Sequence, residues 1–202
     1  MLAKLNGFIV NCSTSWWKFL LLFAGQIGTM QVLTRITNQF PAVTNGDVPF
    51  DMQNDIQNSL SPADIYIQLE GYTDQAFDLY MIFQAVDFFF PLFAGLTLAT
   101  VCAFALRHVS DKLYNIATAK KLFVLLLIPT LFDWLENINL LWVVLAWPEQ
   151  VSLAANLAVL AKMGKLSTMA VAFLLIFSLL IAAAIQWIRQ KLGGNSGHTS
   201  AD

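Results

Sequence analysis

The chain of 202 residues is 57% hydrophobic and 12% charged, where ordinary soluble domains hold roughly 45–50% apolar and roughly 25% charged residues. An ordinary soluble domain is therefore excluded, and the class expected is an all-α integral membrane protein. A net charge of −2 with no continuous basic stripe excludes nucleic acid as a partner.

In chain order, residues 1–15 read as a short polar-mixed leader in which Asn11 to Thr14 break any signal-peptide core, so no cleaved signal is predicted. Trp16, Trp17 and Lys18 mark an interface, and an apolar run to Leu33 forms the first span, about 16–33. Residues 34–73 turn polar and acidic, with Asp47, Asp51, Asp55, Asp64 and Glu70 opposed by Arg35, and form a long outer loop. Within it Ser61 and Pro62 supply an N-cap and a first helical residue, so Ala63 to Glu70 is predicted as a short helix, though alternating Ile65, Ile67 and Leu69 also suit a strand.

Thr73 can cap the next helix, which runs to about Arg107 and supplies the second span, about 79–106. Pro91 lies four residues after Asp87 and removes the hydrogen bond to that carbonyl, so a kink is expected at the acid. Arg107 to Lys121 reads as a basic loop. The third span, about 122–147, closes with Trp142, Trp147 and Pro148. Glu149 to Lys165 is a mildly amphipathic stretch before the fourth span, about 166–188. These elements make one domain, residues 1–192, and the Gly/Ser-rich tail 193–202 reads as disordered.

Orientation follows from the basic residues. With both termini cytoplasmic, eight of the eleven lie inside, and Arg35, Lys162 and Lys165 lie outside. A four-helix bundle with both ends inside is the expected architecture.

The third span holds Asp133, Glu136 and Asn137 at helical spacing, so all three project from nearly one face. An ionised side chain at mid-membrane costs roughly 2.5–3.5 kcal/mol on insertion scales, so such groups normally meet protein, water or a partner. Asp87 should lie at similar depth, and Lys162 and Lys165 share a face where the last helix enters the membrane. A site joining Asp87, Asp133, Glu136, Asn137, Lys162 and Lys165 is therefore expected in the outer half of the bilayer. Three acids against two lysines leave one negative charge in excess. Tyr66, Tyr72 and Tyr80 suit either the mouth of such a site or interface anchors. Cys12 and Cys102 stand alone and give neither a metal spacing nor a disulfide framework. No HExxH, CxxC, phosphate loop or GxSxG occurs, and neither cofactor nor metal is expected.

The segments DFFFPL at Asp87 to Leu92 and FDWLEN at Phe132 to Asn137 resemble an uncharacterised group of bacterial four-helix membrane proteins. That resemblance implies the bacterial cytoplasmic membrane. More weakly, the layout is similar to the EXPERA family of sterol isomerases, in which buried acids face a lipid-accessible pocket. The isomerases also use a histidine, and this chain has none within a span: His108 and His198 fall elsewhere.

Two readings of the cluster follow: a network that fixes helix register, or a ligand site. The leading expectation is a binding protein for a lipid-like or cationic amphiphilic ligand in an outer-leaflet pocket, with membrane lipids as its partners. The alternatives are an accessory subunit of a larger complex docking through the outer loop, proton-coupled transport by an oligomer, and acid–base chemistry on a lipid by two carboxyls of split pKa.

Overall fold

The computed structural model describes residues 1–45 and 61–194, and among these every regular element is a helix. Four helical stretches are long and apolar enough to cross a membrane: Trp16–Ala42, Asp74–Val109, Leu122–Ala146 and Ser152–Arg189. Asp47, Asp51, Asp55 and the tail from residue 195 lie outside the described residues.

The first fifteen residues, read as a polar-mixed leader, are helical and packed. They form α1 (Leu2–Ser13), whose Ile9 and Cys12 are buried. Asn6 Nδ2 donates to the Thr118 carbonyl at 3.1 Å, which fastens α1 to the rest. Burial pushes the Cys12 thiol up, an effect opposed by the Lys18 ammonium. Helix α2 (Trp16–Thr37) is the first span, one turn longer than expected. A 3-10 turn, Phe40–Ala42, follows it.

Part of the loop between the first two spans is folded. Helix α3 (Pro62–Glu70) carries a complete capping box: Asp64 N donates to Ser61 Oγ at 3.3 Å, and Ser61 N to Asp64 Oδ2 at 2.7 Å. The helical reading of this segment holds over the strand, because Ser-Pro at its start satisfies the first turn and Ile65 and Leu69, four apart, both reach the core. Asn45 N donates to the Gly71 carbonyl at 2.8 Å and Thr73 Oγ1 donates to the Val43 carbonyl, which ties the two ends of the loop together. Thr73 also caps α4 (Asp74–Asp87), as its position predicts.

The expected kink is a full break. Helix α4 stops at Asp87 and α5 (Phe90–Val109) restarts with Pro91 in its first turn. The basic loop after α5 is also corrected, since Asp111–Ala119 forms α6, capped by Ser110. Lys121 then takes a left-handed φ of 60° that turns the chain. The third span begins as a 3-10 segment, Leu122–Leu127, and becomes helix α7 (Ile128–Ala146) at Pro129. Finally, Glu149 to Lys165 is no separate stretch. Helix α8 (Ser152–Gly194) runs unbroken for 43 residues and takes in Gly193 and Gly194. At about 1.5 Å per residue it spans about 65 Å, twice a hydrocarbon core of about 30 Å.

Helix α5 is the hub, in contact with α1, α2, α4, α6, α7, α8 and the 3-10 segment. Its buried face is made of small residues, Gly95, Ala99, Cys102, Ala103 and Ala105, which let neighbouring backbones close in. A Cβ on Gly95 would collide with the Thr130 side chain, and one on Gly25 of α2 would fall 2.7 Å from the Phe93 ring. The packed interior divides into two clusters. One, at the α3 end, gathers Phe40, Tyr66, Tyr72, Tyr80, Phe83, Leu140 and the alanines that start α8. The other, at the α6 end, gathers Ile9, Cys12, Leu22, Ala99, Phe123 and Ile176. The three tyrosines line no mouth, since each is buried in the first cluster. Among the described residues, Asp87, Glu136, Asn137, Lys162 and Lys165 are buried yet belong to neither apolar cluster.

Candidate functional site

The break between α4 and α5 organises the site. Proline at residue 91 has no N–H, so the helical bond to the Asp87 carbonyl is not made and the chain breaks there. Helix α7 bonds to the chain on either side of the break, from residues about one turn apart. Thr130 Oγ1 donates to the Pro91 carbonyl at 2.8 Å, and Trp134 Nε1 donates to the Phe88 carbonyl at 2.9 Å. Asn137 Nδ2 donates to Asp87 Oδ2 at 2.9 Å, on the side chain that ends α4. Thr130, Trp134 and Asn137 stand at i, i+4 and i+7, so one stripe of α7 staples the broken helix. One turn before Asp87, Gln84 Nε2 donates to the Tyr80 hydroxyl at 2.7 Å, extending the polar line along α4.

A second stripe of α7 meets α8. Lys165 Nζ sits 2.6 Å from Glu136 Oε2 and 3.7 Å from Asp133 Oδ2. Close approach is possible because residue 164 is glycine: a Cβ there would stand 2.6 Å from the Phe132 ring. Glu136 is 1% exposed and Lys165 4%, whereas the Asp133 side chain retains 14%. Lys162, one turn before Lys165, is also buried, at 3%.

The six residues expected to form a site thus divide by partner. Asn137 with Asp87 closes the helix break, while Asp133 and Glu136 address Lys165. Lys162 and Lys165 lie within the length of α8 and are both buried. Asn137 Oδ1 and Gln84 Oε1 are buried acceptors with no hydrogen-bond donor among the described residues. A carbonyl-type oxygen left so costs about 1–3 kcal/mol unless something donates to it.

Thr130 and Trp134 were not singled out by the sequence argument, although the signal was present: both stand within two turns of Asn137 opposite a proline break. Among the described residues no group of three histidine, cysteine or carboxylate side chains is placed to hold a metal ion. His108 stays outside the layer, with Nδ1 2.9 Å from the Phe104 carbonyl.

No family model, curated protein or solved structure matches the chain. The residues themselves carry whatever is concluded about the site.

Proposed function

We propose that the protein is a membrane-embedded binding protein whose charged layer recognises the cationic head of an amphiphile from the outer leaflet. The observation that carries this reading is the charge balance of the layer. Three carboxyls, Asp87, Asp133 and Glu136, meet two ammonium groups, Lys162 and Lys165, and Asp133 is the most exposed of the three acids. Lys165 stands 2.6 Å from Glu136 and 3.7 Å from Asp133, and Asp133, the acid that keeps the widest opening, is the one placed to meet a ligand cation. A ligand cation would complete the count, and the apolar helix faces beside it would take the ligand's chain, as small-molecule sites combine apolar walls with a few convergent polar groups. Lys165 fixes the direction of the Glu136 carboxylate.

In this reading the four spans form a bundle in a bacterial cytoplasmic membrane with both termini inside. Lys4, Lys18, Arg107, Lys112, Lys120, Lys121, Arg189 and Lys191 then lie on the cytoplasmic side. The α3 end faces outward and covers the layer.

The test is native mass spectrometry of the full chain in detergent, titrated with a dodecyltrimethylammonium probe and a zwitterionic amphiphile of the same chain. Wild type should retain the cationic probe preferentially, and Asp133→Asn should lose that preference while its thermal midpoint stays near wild type. Equal retention of both probes by wild type overturns the reading. So does a preference that survives in both Asp133→Asn and Glu136→Gln.

A further inference from the structure

A second cavity, of about 470 Å³, lies at the opposite end of the molecule, where α1 turns into α2 against α5 and α8. That volume is within the range of about 300–1,000 Å³ usual for ligand pockets. Its lining joins two kinds of chemistry. Phe19, Val101, Phe104 and Leu180 make an apolar wall, and Arg107, Thr14 and Ser13 make a polar one. Among the described residues no carboxylate lines it.

Three features of the polar side favour an anion. The Arg107 guanidinium has one weak contact, Nη2 to the Ser13 carbonyl at 3.4 Å. Helix α2 starts at this wall with Trp16, has no side-chain cap and carries no acid in its first turn, so its positive dipole end is uncompensated. Lys18, in that first turn, does not line the cavity, but its ammonium acts on Cys12, which does, and it donates to Asn11 Oδ1 at 2.9 Å. Deeper along the wall, Thr100 is 1% exposed and its hydroxyl has no hydrogen-bond partner among the described residues. Thr100 and Arg107 are seven residues apart on α5, so they share a face about 10 Å apart along the axis.

A ligand meeting both must carry an anion at one end, a hydrogen-bond acceptor further along, and an apolar body. A free phosphate is too short to reach both and would leave the apolar wall uncovered. A fatty acid has the anion and the chain but no second acceptor. An anionic phospholipid has all three in the required order: phosphate, ester carbonyl, acyl chain. We propose that this cavity is a site for one anionic phospholipid, with its phosphate at Arg107 and the start of α2, an ester carbonyl accepting from Thr100 Oγ1, and an acyl chain along Phe19, Val101, Phe104 and Leu180.

The test titrates the full chain in detergent with phosphatidylglycerol and with phosphatidylcholine of identical acyl chains, read by native mass spectrometry. Wild type should retain phosphatidylglycerol preferentially. Arg107→Gln should lower that retention about tenfold and abolish the headgroup preference. Thr100→Val keeps the side-chain volume and removes only an unpartnered hydroxyl, so it should fold as wild type and weaken both lipids by a smaller, equal factor. Lys191→Gln, remote from the cavity, should change neither. Equal retention of the two lipids by wild type overturns the proposal, as does a Thr100→Val titration identical to wild type. Inorganic phosphate that displaces phosphatidylglycerol as efficiently as the lipid itself would show a free-anion site and also overturn it.

Discussion

The two halves of α8 share one backbone but not one environment. From Ser152 to Lys165 the helix buries Ala154, Ala155, Ala158, Ala161, Lys162 and Lys165. From Leu166 onward it buries only Ala172 and Ile176 among the described residues, and presents Val171, Phe173, Leu174, Phe177 and Ile185 outward. Hydropathy ranks the halves the wrong way for burial: the half with lysines is enclosed, and the half made of Leu, Phe and Ile faces out. The difference lies in the partner. Helix α7 offers carboxylates and a ring edge over glycine to the first half, so charge and shape are matched there, whereas lipid suits the second half as well as protein would.

The largest expected effect is therefore at Lys165. Replacing it by methionine removes the ammonium 2.6 Å from Glu136, which is 1% exposed, and removing one partner of a buried pair costs about 3–5 kcal/mol. The thermal midpoint of purified Lys165→Met should fall steeply, and Lys165→Met with Glu136→Gln should recover part of the loss. A single variant that melts like wild type would mean that the first half of α8 is held by packing alone. The next effect is steric. Gly164→Ala places a methyl 2.6 Å from the Phe132 ring and should cost about 1–3 kcal/mol, the usual cost of overpacking. Measured in the same melts, no loss at all would show that α7 and α8 can separate without cost to the charged layer.

The helix break at Asp87 and Pro91 was legible because proline's missing N–H is a local fact, and the caps at Ser61 and Thr73 were legible for the same reason. The charged layer was legible as a set of residues, since few groups can pay for mid-membrane depth. Which residue meets which was not. Asp133, Glu136 and Asn137 look like one face at helical spacing, but a helix presents neighbouring stripes to two partners, and only packing decides that Asn137 turns to α4 while Glu136 turns to α8. Helix α1 was hidden because Asn11 to Thr14 read as an interruption, while in the fold Asn11 bonds to Lys18 and Asn6 to the Thr118 carbonyl. The continuity of α8 was hidden by its lysines, which mark a membrane boundary only where no acids await them.

A smaller effect probes what covers the first half of α8. Helix α3 packs there, and the Ser61 main-chain and hydroxyl bonds hold the Asp64 carboxyl below its ordinary value of 3.8. A depressed carboxyl contributes stability that is present above the unfolded value and lost as pH falls through the lower folded one. Wild type should therefore exceed Asp64→Asn in thermal midpoint near neutrality, and the gap should close below about pH 3.8. A gap that persists in acid would mean that the capping box works through its neutral hydrogen bonds.

The smallest effect belongs to the second half. Leu174 is 69% exposed, and truncating it to alanine removes contacts with lipid alone, which the bilayer replaces at once. Leu174→Ala should change stability by less than about 0.5 kcal/mol, as for substitutions away from packed or charged features. Size-exclusion chromatography with light scattering completes the comparison, because a large loss accompanied by a lower mass would identify this face as an interface between copies of the chain. The second half of α8 would then resemble the first, enclosed by a partner that a single chain cannot supply.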